Sequence, residues 1–192
     1  MSPTISNYTM TSCATRCVDT DHLHDVQQST AEDVAQRLAS AKEDCRKRGV
    51  RFTLLRQQIY QLVLTANQPV GAYDLITQLQ QMRFSDTAAD STDGSSDKQT
   101  PKNVAPPTVY RSLEFLLSEG LIHQLTSINA YVPCCHPRAQ HTAAFLICEQ
   151  CQRVQECSSL PIQEMMIFAE QDVGFKVARS VIELSGHCQA CQ

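Results

Sequence analysis

Two Cys-x-x-Cys pairs in the C-terminal third of the chain restrict its fold more than any other feature. Cys148 pairs with Cys151, and Cys188 pairs with Cys191. Together they supply four thiolates, the full tetrahedral shell of a structural zinc ion. A two-residue spacer lets both sulfurs of a pair reach one ion from a tight turn, so we expect a metal that joins the C-terminus to an internal strand. Because a closed shell leaves no position for a substrate, this site would support folding and not chemistry.

Length and composition fit one large domain or two small ones. The chain has 192 residues, of which 42% are hydrophobic, so a packed core is feasible. No apolar run approaches the ~20 residues that span a bilayer, and the N-terminus lacks the apolar stretch of a secretory signal. We therefore expect a cytoplasmic protein whose ten cysteines favour metal binding over disulfides.

Charge is distributed unevenly along the chain. The net charge is −4, which by itself does not indicate nucleic-acid binding. Residues 41–64, however, contain six basic and two acidic side chains, a local charge of +4. Such a patch is more often a solvated helix face than a DNA site, so it indicates DNA only together with other features.

Two polar segments are predicted to be disordered. Residues 1–28 form a tail rich in Ser, Thr and Asp. The tail contains Cys13, Cys17, His22 and His24, which could hold a metal, although scattered ligands in a flexible tail are the simpler interpretation. Residues 85–103 contain no aliphatic side chain larger than alanine and are predicted to be an insertion that cannot pack.

Between these segments the apolar pattern predicts four helices and a hairpin. A capping box at residues 29–32 opens the first helix, Thr53 caps the second, and Tyr73 lies in the third. The fourth helix, residues 107–119, is bracketed by two prolines and a glycine. Two short strands follow at residues 121–125 and 129–132.

This order of elements is that of a winged helix-turn-helix domain, with residues 107–119 as the recognition helix. Its N-terminal side chains Thr108, Tyr110 and Arg111 would then face the DNA groove. Lys47, Arg48 and Arg51, outside that helix, would meet phosphates. A helical bundle with a hairpin cap shares the order and is the alternative.

The pattern changes from residue 142 onward. Strands are predicted at residues 145–148, 153–157 and 176–183, with an amphipathic helix at 162–170. A module this small has little core of its own, so a metal and dimerisation would help it fold. The predicted fold class is α+β: an N-terminal winged helix-turn-helix domain at 29–133 and a small α/β dimerisation domain at 134–192.

Four more potential metal ligands lie around the boundary of the two modules. They are His123, Cys134, His141 and Glu156. Each alone is unremarkable, because a strand His or Glu usually has a surface or core role. If they converge, one sulfur, two imidazoles and a carboxylate suit tetrahedral Zn²⁺, whereas Fe²⁺ would gain less from the thiolate.

The sequence resembles the ferric-uptake-regulator (Fur) family, and within it the zinc-uptake-regulator (Zur) branch. The resemblance runs from about residue 48 to residue 191. The motifs that carry it are Arg51-Phe-Thr-Leu-Leu-Arg56, Ala72-Tyr-Asp-Leu75, Pro106-Pro-Thr-Val-Tyr-Arg111, Tyr131-Val-Pro-Cys134, His141-Thr-Ala-Ala-Phe-Leu-Ile-Cys148 and the two Cys-x-x-Cys pairs. The proline-rich run followed by two such pairs is highly specific.

The resemblance implies a zinc-responsive repressor that binds a palindromic DNA operator as a homodimer and controls zinc uptake. It implies two zinc ions per protomer. The structural ion would be held by Cys148, Cys151, Cys188 and Cys191, and the regulatory ion by His123, Cys134, His141 and Glu156. It also implies that Tyr73 and Arg111 contact DNA.

The sequence departs from the family pattern at several positions. Iron and peroxide sensors of the family usually carry a His-rich run before the first Cys-x-x-Cys pair, and the run Arg138-Ala-Gln-His141 disfavours iron sensing. Cys135 and His136 leave the ligand beside Cys134 open. Thr77 and Gln80 occupy a face where some relatives carry opposite charges, so we do not expect charge-paired contacts between neighbouring dimers.

Three other functions fit part of the pattern. A zinc hydrolase with Glu156 as base requires an open metal position, and the chain lacks an HExxH motif. A thiol redox sensor would use the Cys-x-x-Cys pairs. A regulator of the same fold could sense iron or manganese. We expect no enzyme activity, no membrane association and no small-molecule substrate.

Overall fold

A computed structural model describes residues 24–25, 29–89, 104–137, 143–157, 162–177 and 180–192 of the chain. Within these ranges no helix is both long and apolar enough to cross a bilayer. The N-terminal half contains four helices, α1 (Ala31–Lys47), α2 (Leu54–Thr65), α3 (Ala72–Ala89) and α4 (Pro106–Ser118).

Local capping explains where the first two helices begin. The Thr30 hydroxyl accepts a hydrogen bond from the Asp33 amide at 3.2 Å, and the Asp33 carboxylate accepts one from the Thr30 amide at 3.1 Å. This reciprocal pair is a capping box, one residue later than the box predicted at 29–32. Thr53 caps α2 as predicted, accepting a hydrogen bond from the Arg56 amide.

The proline-bracketed helix is confirmed within one residue at each end. Pro106 lies in the first turn of α4, where its missing N–H costs no intrahelical hydrogen bond. Gly120 follows the helix with a φ of +63°, a left-handed conformation that glycine adopts without a Cβ clash.

An antiparallel hairpin follows α4 and forms the wing. It consists of β2 (Ile122–Leu125) and β3 (Ala130–Pro133), with Leu125 opposite Ala130 beside the turn. A bridge between Val70 and Tyr131 attaches the α2–α3 connection to the wing. Helices followed by this hairpin form the winged-helix arrangement that the sequence predicts.

One apolar core unites the helices with the base of the wing. Its fully buried members include the following side chains of α2, α3, α4 and the wing entrance: Ile59, Tyr60, Leu64, Leu75, Leu79, Val109, Leu113, Leu116 and Leu121. Burial of this apolar surface is the main term that stabilises the fold.

A second, four-stranded sheet forms the C-terminal half. Its strands are β1 (His24–Asp25), β4 (Ala144–Cys148), β5 (Val154–Cys157) and β6 (Ile182–Gly186), in the order β1-β5-β4-β6. β4 pairs antiparallel with β5 and parallel with β6. Helix α5 (Ile162–Ile167) continues into a π-helical turn, Phe168–Asp172, and a 3₁₀ turn, Gln189–Cys191, lies near the end of the chain.

Four predictions need correction. The strand expected at 176–183 is β6, at Ile182–Gly186, because it pairs in register with β4. The helix expected at 162–170 extends to Asp172 through its π-helical turn. The predicted disordered tail contributes β1, because the outer edge of β5 offers it backbone partners. The predicted insertion is helical as far as Ala89, because α3 continues into it, and its remainder lies outside the described residues.

Candidate metal centres and DNA-facing surface

The parallel pairing of β4 with β6 brings the two Cys-x-x-Cys pairs to the same end of the sheet. Cys148 ends β4 opposite Gly186, the last residue of β6, and Cys188 lies two residues after Gly186. The sulfurs of Cys148, Cys151, Cys188 and Cys191 all lie within 4.8 Å of one another. The Sγ atoms of Cys151 and Cys188 are 3.7 Å apart. One cation can therefore contact all four sulfurs.

Hydrogen bonds within this cluster make its thiols unequal in acidity. Backbone hydrogen bonds from Cys188 and Cys151 lower the pKa of Cys148 to about 6, and the Cys188 amide lies 3.4 Å from Cys148 Sγ. Hydrogen bonding to Cys188, together with burial, raises the pKa of Cys191 to about 12. A divalent cation shared by the four cysteines would remove this difference in acidity, because it stabilises all four thiolates at once. The donor set and its spacing fit a structural zinc ion.

A second group of potential ligands lies between the wing and the C-terminal sheet. His123 comes from β2, Cys134 directly follows β3, and Glu156 belongs to β5, and their ligand atoms lie within 4.8 Å of one another. Cys134 is 1% exposed and Glu156 is 3% exposed. Thiolate, imidazole and carboxylate are all zinc donors, so this set also fits the metal. His141, the fourth predicted ligand, lies outside the described residues.

Cys135 differs from its neighbour Cys134 in environment. Its backbone amide donates a hydrogen bond to Glu156 Oε2 at 3.0 Å, which orients that carboxylate. Burial, followed by the nearby Glu156 carboxylate, raises the pKa of the Cys135 thiol far above its ordinary value. The group of ligand atoms that lie within 4.8 Å of one another contains the sulfur of Cys134 and not that of Cys135. The structure therefore favours Cys134 as the sulfur donor.

Apolar packing holds the wing against the C-terminal sheet and so brings the second ligand group together. The His123 ring lies 5.1 Å from the Phe145 ring, centroid to centroid. Side chains of the wing and the sheet share one buried cluster that contains Leu125, Val132, Ala143, Phe145, Ile147 and Val154. A metal at His123 and Glu156 would therefore bridge two elements that already touch.

Glu183 also connects the wing to the sheet, and no sequence motif pointed to this residue. Its carboxylate accepts hydrogen bonds from the Thr126 amide at 2.7 Å, the Thr126 hydroxyl at 2.8 Å and the Ser127 amide at 2.9 Å. Desolvation raises the pKa of Glu183, but these hydrogen bonds outweigh it and hold the pKa below its ordinary value. Glu183 of β6 therefore caps the turn of the wing.

Arg37 is a further residue that sequence reasoning missed. From α1 it donates a hydrogen bond through Nη2 to the backbone carbonyl of Cys134, 97 positions away. No local pattern signals such a contact, because it depends on where α1 lies relative to the end of β3.

The recognition helix presents the predicted residues on its exposed face. Val109 and Leu113 are buried, whereas Thr108 and Arg111 are exposed and Tyr110 is 39% exposed. Tyr73, in the first turn of α3, is 74% exposed. These side chains are accessible to a ligand as large as duplex DNA.

Several basic side chains at the end of α1 and in α2 have partners within the protein. Arg46 forms a two-pronged contact with Glu43, at 2.8 and 2.9 Å. Arg48 pairs with Glu119 at the C-terminal cap of α4. The Arg56 guanidinium lies 3.6 Å above the Phe115 ring. The Arg46–Glu43 pair is exposed and contributes little stability, whereas Glu119, the partner of Arg48, is only 11% exposed.

Comparison with known proteins places the chain in a family. The ferric uptake regulator family profile matches residues 95–185. The zinc uptake regulation protein of Escherichia coli is 30% identical over 86% of this chain and 85% of its own. A solved zinc uptake regulator in complex with zinc and DNA is 31% identical, with a TM-score of 0.68, covering 85% of this chain and 96% of that one. The holo form of XcZur is also 31% identical, with a TM-score of 0.64, covering 81% and 96%. The chain belongs to the ferric uptake regulator family.

Proposed function

We propose that this protein is a zinc-responsive repressor that binds operator DNA as a homodimer and controls genes of zinc uptake. The observation that carries the proposal is the convergence of His123, Cys134 and Glu156 between the wing and the C-terminal sheet. Its similarity to zinc uptake regulators, one of them solved with zinc and DNA, supports the same function.

Two donor sets imply two zinc ions per protomer. The four clustered cysteines would hold the structural ion. His123, Cys134, Glu156 and the untested His141 would hold the regulatory ion. When bound, the regulatory zinc supplies a cross-link between the wing and the sheet. The sulfur of Cys134 favours zinc over the harder ions Fe²⁺ and Mn²⁺, which prefer oxygen and nitrogen donors.

The ligands convert metal binding into an orientation of the DNA-binding half. His123 and Cys134 belong to the wing region, which continues directly from α4, whereas Glu156 belongs to the sheet. Holding them together fixes the angle between α4 and the sheet. In a dimer that angle sets the distance between two recognition helices, which must match half-sites about 34 Å apart. Because metal and operator favour the same arrangement, each must tighten the binding of the other.

Exposed apolar side chains in the C-terminal half support a homodimer. Those between residues 165 and 184 are Met165, Ile167, Phe168, Val173, Phe175, Val181 and Leu184. Large apolar surfaces left open to water on a soluble domain commonly mark an interface. We propose that these side chains form the contact between protomers.

A zinc hydrolase with Glu156 as general base has less support than a repressor. Glu156 is buried, and its Oε2 already accepts a hydrogen bond from the Cys135 amide. That oxygen therefore holds the segment that follows β3 and carries Cys134. The curated relatives are regulators of zinc uptake and of a peroxide operon. Regulation, and not catalysis, accounts for both observations.

A titration of DNA binding against free Zn²⁺, Fe²⁺ and Mn²⁺ tests the proposal. We expect zinc to drive binding at the lowest free concentration. Cys134→Ser should abolish the zinc response, and Cys135→Ser, a matched change one residue away, should keep it. Equal responses to all three metals, or loss of response only in Cys135→Ser, would overturn the metal or the ligand assignment.

A further inference from the structure

The contact between Arg37 and Cys134 joins the first helix to the loop that carries a candidate zinc ligand. Arg37 is half-buried on α1 and donates to the Cys134 carbonyl, while Cys134 itself is 1% exposed. The Cys134 amide donates to the Leu121 carbonyl at 3.1 Å, so both backbone groups of Cys134 are held by the DNA-binding half. A metal bound by the Cys134 side chain would therefore act on a residue whose backbone α1 also contacts.

The other end of α1 contacts the recognition helix. Arg48, which follows the last residue of α1, pairs with Glu119 at the C-terminal cap of α4. Between the two contacts, Val34, Ala41 and Cys45 of α1 are buried. One continuous helix of 17 residues thus touches the ligand loop near its start and α4 just past its end.

We infer that Arg37 is a positioning residue through which α1 relays the state of the regulatory metal site to the recognition helix. The inference rests on the function proposed above. A metal held by Cys134 fixes that residue, and a fixed carbonyl offers Arg37 a well-placed acceptor. Arg37 then holds α1, and Arg48 at the far end of α1 holds α4 through Glu119. Without an ordered Cys134 the guanidinium loses its acceptor, and α4 is held less firmly.

This role differs from a general contribution to folding in one measurable way. A residue that only stabilises the fold weakens DNA binding equally with and without zinc. A coupling residue changes the factor by which zinc tightens DNA binding, and by linkage it changes equally the factor by which DNA tightens zinc binding. The coupling factor is therefore the quantity to measure.

The test uses the full chain and a duplex selected from a random library by the zinc-loaded wild-type protein. DNA affinity is measured with and without zinc, and zinc affinity with and without that duplex. Arg37→Ala should reduce both coupling factors about tenfold, which corresponds to about 1.4 kcal/mol. Arg37→Lys, which keeps one charged donor, should restore part of the loss.

Two further variants control for charge and for misfolding. Arg46→Ala removes the same charge from the same helix, but this exposed guanidinium pairs with Glu43 of α1 itself, so both coupling factors should stay unchanged. Glu119→Gln weakens the contact with Arg48 and leaves the loop that carries Cys134 unchanged. It should lower the coupling factors while zinc affinity without DNA remains that of the wild type.

The outcomes separate this inference from the proposed function. If zinc does not tighten DNA binding by the wild-type protein, the proposed function fails and the relay fails with it. If wild-type coupling is present and Arg37→Ala keeps it in full, or weakens DNA binding equally with and without zinc, only the relay is overturned. Should Arg37→Ala fail to fold, full coupling in Glu119→Gln overturns the relay.

Discussion

His123 Nε2 lies 3.7 Å from a carboxylate oxygen of Glu156, although the two residues belong to different sheets. His123 belongs to the wing, and Glu156 belongs to the C-terminal sheet. Any rotation between these elements changes this distance directly. Binding of a metal by both residues would therefore depend on the angle between the two halves of the protein. A metal-dependent DNA-binding switch requires this dependence.

Glu156→Gln should weaken regulatory zinc binding while leaving the fold intact. The amide keeps the shape of the side chain and an oxygen that can accept the Cys135 amide, but it removes the anionic ligand. We expect zinc affinity at this site to fall by at least about tenfold. Competition with a chelating dye measures it, and circular dichroism checks the fold. Unaltered zinc affinity would remove Glu156 from the set of ligands. The control is Glu164→Gln, which changes an exposed carboxylate on α5.

Cys188→Ser should prevent stable folding of the C-terminal half. The variant leaves three thiolates without a closed shell, and structural zinc contributes on the order of 10 kcal/mol in small modules. We expect loss of most bound zinc and of the dimer, measured by metal analysis and light scattering. Cys135→Ser should retain both. A dimeric Cys188→Ser protein with wild-type unfolding would contradict the structural role.

Glu183→Gln should loosen the wing turn. The hydrogen bonds to Thr126 and Ser127 are made best by a charged carboxylate, and because the turn is exposed we expect a loss of about 0.5–1 kcal/mol. Hydrogen exchange of the Thr126 and Ser127 amides measures the change. Protection equal to that of the wild type at neutral pH would show that the carboxylate does not cap the turn.

The same contact predicts a pH dependence. The folded-state pKa of Glu183 is below its ordinary value of 4.5. Its stabilisation is therefore present above about pH 4.5 and is lost as the pH falls through the lowered folded-state pKa. Protection of the two turn amides should decrease over that acidic range in the wild type. In Glu183→Gln it should show no matching step, and an identical step would assign the titration to another group.

Arg111→Ala should alter sequence preference more than general attraction to DNA. An arginine that reads a guanine contributes about 1–3 kcal/mol of discrimination. The ratio of operator to random-duplex affinity should collapse, while the salt dependence changes by about one charge at most. Lys47→Ala should weaken both duplexes alike. A preserved ratio in Arg111→Ala would show that α4 is not the reading element.

Deleting residues 90–102 should change little. The deletion starts after Ala89, the last residue of α3, and closing a shorter loop alters stability by a few tenths to about one kcal/mol. Thermal unfolding and operator affinity should both stay near wild type. A large loss of affinity would assign this segment a contact with DNA or with a partner.

Local sequence signals predicted much of the fold and part of the site. Proline at the start of α4 and glycine after its end bounded the recognition helix because both residues act on their own backbone. The two Cys-x-x-Cys pairs predicted that four sulfurs meet, because each pair needs only a tight turn to present two of them, and the structure brings the four together. The motifs around Arg111 identified the family by resemblance.

The tertiary structure decided what depends on distant pairing. The convergence of His123, Cys134 and Glu156 and the contacts of Arg37 and Glu183 have no local signature. Cys134 lies 97 positions from Arg37, and Thr126 lies 57 from Glu183. Such contacts arise only after apolar packing places the wing on the C-terminal sheet and α1 on the helical core. The sequence shows which chemical group each residue carries, but burial and strand register determine which side chains meet.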